Sequence, residues 1–288
     1  MRGSSSEVTS AMYDLFAHAP GWFVLVLFAV VPAVVAVVIH TWFRRRVPPE
    51  KLLPHQEVAG FLVAVVGVLY AVVLGFLVIS VWLSFDAAQR NADAETNDLS
   101  DILHLALALP EPTKSQIRNL VAWYAFEVRD REWPMLAYEE EDQKARSIMF
   151  SGLHTVAMMR PQSGAPSSEA ARQASIRDAA LAAFRDLTSR RRQRLLDAQS
   201  HVSTTLYFAL ITGALILLSF VLLFGVDSAA LQLTMTALVA GMIGLQIGVI
   251  FELDRPFWGA VHIRSDAWDL LIRDNHLAPP GGNAAASP

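Results

Sequence analysis

The sequence predicts an all-α integral membrane protein, with four transmembrane helices and a helical extramembrane domain whose long helices continue spans two and three. Three observations carry this. Four apolar stretches, about Trp22–Phe43, Val58–Phe85, Thr204–Gly225 and Ala229–Phe251, interrupt the chain. Each reaches the roughly 20 residues that a helix needs to cross a hydrocarbon core about 30 Å thick. None carries a charged side chain inside its apolar run, as expected where a mid-bilayer charge costs several kcal/mol. The stretches also come as two pairs around a polar block, residues 86–203. An even number on each side puts both termini and the block on one membrane face and the two short loops on the other.

Composition agrees. Of 288 residues, 53% are hydrophobic, and the mean hydropathy is +0.37. Buried strands of a soluble α/β protein run about 4–8 residues, well short of these stretches. The first apolar run starts at Trp22 with only Arg2 before it, so it reads as a span rather than a cleavable signal. Residues 1–21 form a leader with a small amphipathic patch at Met12, Tyr13, Leu15 and Phe16. There are no cysteines, which excludes disulfides, thiolate catalysis and Cys-based zinc or iron–sulfur sites. A formal charge of −4 gives no sign of nucleic-acid binding. The eight histidines are scattered, and no HExxH, P-loop, GxGxxG or GxSxG appears, so neither an enzyme nor a bound cofactor or metal is expected.

The first span (22–43) holds Pro32, a kink that neighbouring helices can accommodate in lipid. It ends in Trp42-Phe43 followed by Arg44-Arg45-Arg46, an interfacial aromatic belt and then anchoring charges. Pro48, Pro49 and Pro54 enforce a non-helical return. The second span (58–85) carries Gly60, Ala64, Gly67, Ala71 and Gly75 at steps of three and four. Such small-residue stripes allow close helix approach in lipid. No Gly or Pro follows until Pro110, so one helix of roughly 50 residues, about 75 Å, is expected.

Pro110-Glu111-Pro112 turns the chain. A helix then starts with Thr113 as N-cap and places Ile117, Leu120, Val121, Tyr124 and Val128 on one face, ending near Glu132-Trp133-Pro134. A third helix covers about Glu139–Met159, and Pro161–Ser168 reads as a flexible turn. From Ser168 a long helix with Ile176, Ala180, Phe184 and Leu187 inward runs through Arg190–Arg194 to the third span (204–225) without a break. Val226-Asp227-Ser228 closes a tight hairpin to the fourth span (229–251). That span carries a second stripe, Ala237, Gly241, Gly244 and Gly248. In the C-terminal segment, 252–288, the part from Leu277 is rich in Pro, Gly and Ala and reads as disordered.

Basic residues near the span ends number about twice as many on the face of the polar block as on the short-loop face. This favours a cytoplasmic block and cytoplasmic termini, although the first span taken alone points the other way. The localisation expected is a plasma, or inner, membrane.

Several residues together make the chain resemble a bacterial family of unknown function called bestrophin-like. They are the small-residue second span passing through Trp82 into an acidic segment with Glu95 and Leu99, then Tyr124 followed by Glu132-Trp133-Pro134, and finally Leu253-Asp254-Arg255-Pro256-Phe257. The resemblance spans roughly residues 20 to 270. More distantly, it implies similarity to bestrophins, pentameric anion channels with a pore lined by the second span. The chain departs from them at the neck, where it has Gly, Ala, Val and Leu in place of a Phe-plus-Pro pattern, so no pore residue carries over.

If a pore forms, it lies between subunits of a homo-oligomer, with Gly67, Tyr70, Ala71, Gly75 and Ser80 as candidate lining and an inorganic anion as cargo. The alternative is helix packing, in which Gly60, Ala64 and the rest of the second-span stripe meet Gly241, Gly244 and Gly248. Glu252, Asp254 and Arg255 either gate an ion or tie the following segment to the long helix, with Pro256 ending the fourth span. Gln246 suits an interhelical hydrogen bond. The run Glu139–Asp142 lacks the ligand spacing of a calcium loop and reads as a helix start. Arg190, Arg191, Arg192 and Arg194 are expected at the membrane surface, on anionic headgroups or collecting anions. Two functions follow: an oligomeric anion channel, or a non-conducting scaffold or sensor that docks a partner through its helical block.

Overall fold

With no Gly or Pro between Gly75 and Pro110 to end it, a segment of 52 residues folds as one α-helix. In the computed structural model, which describes residues 20–48, 52, 56–159, 166–224 and 228–279, this helix spans Gln56–Leu107. It is the second of the chain and is called α2; α1 is Gly21–Arg46. The chain divides into two compact units, Met1–Phe85 with Ser200–His262, and Asp86–Gln199 with Ile263–Pro288. The leader patch at Met12–Phe16, Lys51, Pro49, Pro54, residues 160–165, 225–227 and 280–288 lie outside the described residues.

The first unit contains α1, the apolar part of α2, α7 (Thr204–Leu222) and α8 (Ala229–Leu253). Among the described residues, four helices are long and apolar enough to cross a membrane. Ser203 and Ser228 cap α7 and α8 by accepting from the amides of Leu206 and Leu231, each at 3.4 Å, which satisfies donors that lipid could not.

The tightest pairing joins α1 to α8. Pro32 has no N–H, so the carbonyl of Phe28 loses its helical donor. That carbonyl faces Gly244, where any Cβ would overlap it, and a Cβ would also come 2.7 Å from Pro32 Cγ. At Gly248 a Cβ would lie 2.7 Å from Phe28 Cβ. The α8 stripe is therefore spent on α1, not on the second-span glycines as the spacing suggested. In turn α2 packs on α7: Tyr70 lies across Gly213, and Gly67 and Gly60 approach Leu217 and Phe224, each at 3.7 Å from a notional Cβ. Leu74, Val81, Leu210, Ile250 and Leu253 form the core beside this contact.

Polar pairing inside the first unit also differs from expectation. His40 Nδ1 lies 2.7 Å from Thr236 Oγ1, both residues buried. Arg44 donates to Gln232, which donates to the Phe224 carbonyl. Gln246 makes no side-chain hydrogen bond among the described residues. One turn of α8 nearer its start thus carries the interhelical bonds.

The second unit is a helical bundle: the rest of α2, α3 (Thr113–Glu127), a π turn (Val128–Glu132), α4 (Trp133–Leu136), α5 (Gln143–Ala157), α6 (Ser167–Gln199) and α9 (Asp266–Asp274). Its core gathers Leu99, Ile102, Ile117, Val121, Tyr124, Leu136, Phe184, Leu187 and Trp268. Four local expectations change. Pro112, not Thr113, occupies the N-cap of α3. The acidic run precedes its helix, with Glu139 at φ 63° and Asp142 as N-cap accepting from Lys144 N at 2.8 Å. The second rod is interrupted, since residues 200–203 are non-helical between α6 and α7. Leu277, expected in a disordered tail, is 7% exposed.

Replacing Gly244 by Leu drives a side chain into the Phe28 carbonyl, and overpacking of this kind costs about 1–3 kcal/mol. The detergent-solubilised variant is expected to melt lower in a thermal-shift assay, whereas Gly75→Ala, with nothing within 4 Å of the added carbon, leaves the midpoint unchanged.

Candidate functional site

Within the first unit, the candidate pore residues separate by face. Gly67 and Tyr70 turn toward α7 and are part of the packing just described. Ala71 and Ser80 are exposed, as is Ala64, and Gly75 is half-exposed with open space before it. Ala71 and Gly75 share one strip of α2 with Ala64, Val68 and Ile79, because steps of three, four and seven residues return to one side of a helix. Ser80 lies nine residues from Ala71, about half a turn round. This strip is smooth and apolar, and Val68 and Ile79 are 64% and 57% exposed.

At the other end of α8, Asp254 closes the helix as its C-cap. Its carboxylate accepts from Val202 N at 2.6 Å and from the Tyr207 hydroxyl at 3.2 Å. Asp254 therefore ties α8 to the start of α7, not to the long helix. Arg255 stacks over Trp258 at 5.4 Å, Pro256 follows the helix end, and Phe257 and Trp258 are buried. Glu252 is 4% exposed. One of its oxygens accepts from Val261 N at 3.2 Å, and the other has no partner among the described residues. The loop after α8 is thus folded back over the last turn of its own helix.

The second unit holds a buried ionic network that the sequence reading missed. Arg194 is 0% exposed and its Nε lies 2.6 Å from Glu95 Oε2. Its Nη2 reaches Glu95 Oε1 at 3.2 Å and Glu132 Oε1 at 3.4 Å. Arg191 Nη2 adds a contact to Glu132 Oε1 at 3.1 Å and donates to the Asp142 carbonyl, also at 3.1 Å. Glu141 meets Arg191 at 3.7 Å on the rim. Tyr124 donates to Glu95 Oε1 at 2.6 Å. The guanidinium of Arg194 stands 5.5 Å from the Trp133 ring and 6.0 Å from that of Trp268, within cation–π range. Trp133 in turn donates to the Ile263 carbonyl at 3.1 Å, and Pro134, which has no N–H to give to the preceding turn, directly follows the π turn.

Electrostatics follow from that packing. Burial, and next the Glu95 carboxylate, hold the Tyr124 hydroxyl well above its ordinary range, so it remains a donor. Burial also pushes Glu132 above the usual carboxylate range, against the pull of Arg194 and Arg191. Two guanidiniums and two carboxylates balance inside the bundle, the condition under which buried charge is tolerated.

Arg191 and Arg194 are therefore not at a membrane surface; of the expected basic cluster only Arg190 and Arg192 are exposed. A sequence signal existed. The inward stripe Ala180, Phe184 and Leu187 continues by steps of four and three to Arg191, Arg194 and Ala198, all buried. On α2 the same spacing runs Ala88, Ala92, Glu95, Leu99, Ile102. Among the described residues no group of His, Asp or Glu could hold a metal ion.

Four long apolar helices and an all-helical polar unit define a multi-span helical membrane protein. The chain belongs to the bestrophin-like family, whose domain model matches residues 22–268. Its fold is similar to a bacterial bestrophin homolog from Klebsiella pneumoniae, at 14% identity and TM-score 0.59, covering 89% of this chain and 99% of that one. A mutated form of that homolog gives the same identity and score over 89% and 97%. A further crystal structure, described as a membrane protein, matches at TM-score 0.58 and 14% identity over 89% and 99%. No curated protein matches the sequence.

Breaking one side of a buried ion pair costs about 3–5 kcal/mol. Arg194→Gln is expected to loosen the second unit, read as faster limited proteolysis and lost near-UV dichroism from its tryptophans. Tyr124→Phe, which removes one hydrogen bond, should cost about 1 kcal/mol. The paired change Glu95→Leu with Arg194→Leu should recover part of the loss.

Proposed function

We propose that the protein is a homo-oligomeric anion channel in which α2 from each copy lines an axis between subunits. The observation that carries this reading is the uncovered strip of α2. Only 11% of the most apolar 18 residues of α2 is buried inside the chain, and the strip's own small residues, Ala64, Ala71 and Gly75, lie on the open side. Small side chains there let copies approach, and smooth apolar walls suit a gate that works by dewetting. The bestrophin-like membership supports the same direction, with a pentamer as the analogy. Ala71 and Gly75 are the proposed lining, while Gly67 and Tyr70 hold α2 on α7.

The test is conduction by the purified protein in planar bilayers, alongside its oligomeric mass in detergent. Anion-selective current is expected; Gly75→Leu should cut it several-fold and Tyr70→Phe should leave it intact. Silent bilayers from an intact oligomer would overturn the channel reading and favour the scaffold.

The second unit is proposed to be cytoplasmic, on the excess of basic residues at its side of the spans. Because the chain has no cysteine, a single cysteine at the exposed Ser147 gives a clean report. An impermeant maleimide should label it only after cells are permeabilised.

A further inference from the structure

Where α1 and α7 end beside each other, the first unit has an open groove of about 480 Å³ lined by Phe43, Ile216, Ser219, Phe220, Leu222 and Leu223. Five of the six are apolar, and Ser219 spends its hydroxyl on the Leu215 carbonyl at 2.7 Å. The groove thus offers no polar group for a soluble ligand, and it lies on helices long and apolar enough to be in the bilayer. Its mouth is different. Phe43 is followed directly by Arg44, Arg45 and Arg46 in the last turn of α1. Arg46 stands one turn beyond Phe43 on the same side of the helix and is stacked on Trp42 at 5.1 Å. Arg45 and Arg46 are exposed.

We propose that this groove is a binding site for one anionic phospholipid, with an acyl chain along Phe43, Phe220 and Leu223 and the headgroup phosphate on Arg46. Charge complementarity selects the occupant. The apolar channel fits any lipid chain, but the Arg46 guanidinium one turn beyond Phe43 favours an anionic headgroup over a zwitterionic one. Trp42 places its ring at the headgroup level, where tryptophan is enriched in membrane proteins. The site does not depend on whether the protein conducts ions.

Native mass spectrometry of the delipidated protein tests this with phosphatidylglycerol, phosphatidylcholine of the same chains, and glycerol 1-phosphate. Retention of phosphatidylglycerol with a raised melting midpoint is expected, together with weak retention of phosphatidylcholine and none of the free headgroup. Arg46→Gln, a surface change, should weaken phosphatidylglycerol about fivefold if the charge contributes as it does near an anionic surface, whereas Arg45→Gln, on the far side of α1, should not. Leu222→Trp and Ile216→Trp, two independent groove-filling variants, should each abolish retention while the oligomer survives. Equal binding of the two lipids, or binding of glycerol 1-phosphate alone, would overturn the proposal. So would undiminished binding in both groove-filled variants, and loss of the oligomer in both would show that a second copy fills the groove.

Discussion

The second unit is organised around a guanidinium that water cannot reach. Arg194 is 0% exposed, and a lone buried cation would cost many kcal/mol. Its neighbours are fixed by that demand. Glu95 must come from α2, Glu132 from the π turn, and Tyr124 from α3 to satisfy the remaining lone pair of Glu95. Trp133 and Trp268 cover the flat faces. Four stretches far apart in sequence, α2, the run from α3 to α4, α6 and α9, are thereby held to one register. An apolar cluster of the same volume would tolerate sliding by a turn, but a directed set of ion pairs does not.

The first unit solves a different problem. Lipid surrounds its helices with a medium as apolar as their own side chains, so burial supplies little drive for association. Close approach takes its place, and the chain pairs a proline with a glycine to obtain it. Pro32 leaves the Phe28 carbonyl without its helical donor, and Gly244 brings the backbone of α8 against it. On the opposite side, Tyr70 fills the space left by Gly213. The long helix α2 is left with an open strip, the surface proposed above to meet other copies.

Much of this was readable from residue order, for reasons that differ from element to element. The four spans follow from length and hydropathy alone, since nothing else in a protein of this size requires such apolar runs. The continuation of α2 beyond its apolar part follows from the absence of Gly and Pro after Gly75. The glycine stripes announced close packing but not its partner, because a stripe specifies distance and not identity; α1, with Pro32, proved to be the partner of Gly244. The Arg190–Arg194 run looks like one surface because four of its five residues are arginines. The helical step of three and four distinguishes Arg191 and Arg194 from their neighbours, and that step is already set by Ala180, Phe184 and Leu187. The break at 200–203 has no Pro or Gly to mark it; it comes from Ser203 acting as a cap and Asp254 taking the Val202 amide, a contact 52 positions away in sequence.

The π turn at Val128–Glu132 carries a consequence for reading relatives of this chain. A π turn is one residue wider than an α turn, so it stores a single-residue insertion without interrupting the helix. Here that extra residue changes the phase between Tyr124 and the Glu132-Trp133 pair, turning both toward Arg194. A relative lacking the insertion would keep the same three letters, Glu-Trp-Pro, yet point them about 100° away. Matching letters in this motif are therefore weak evidence of a shared network, and the spacing back to the tyrosine is the stronger signature.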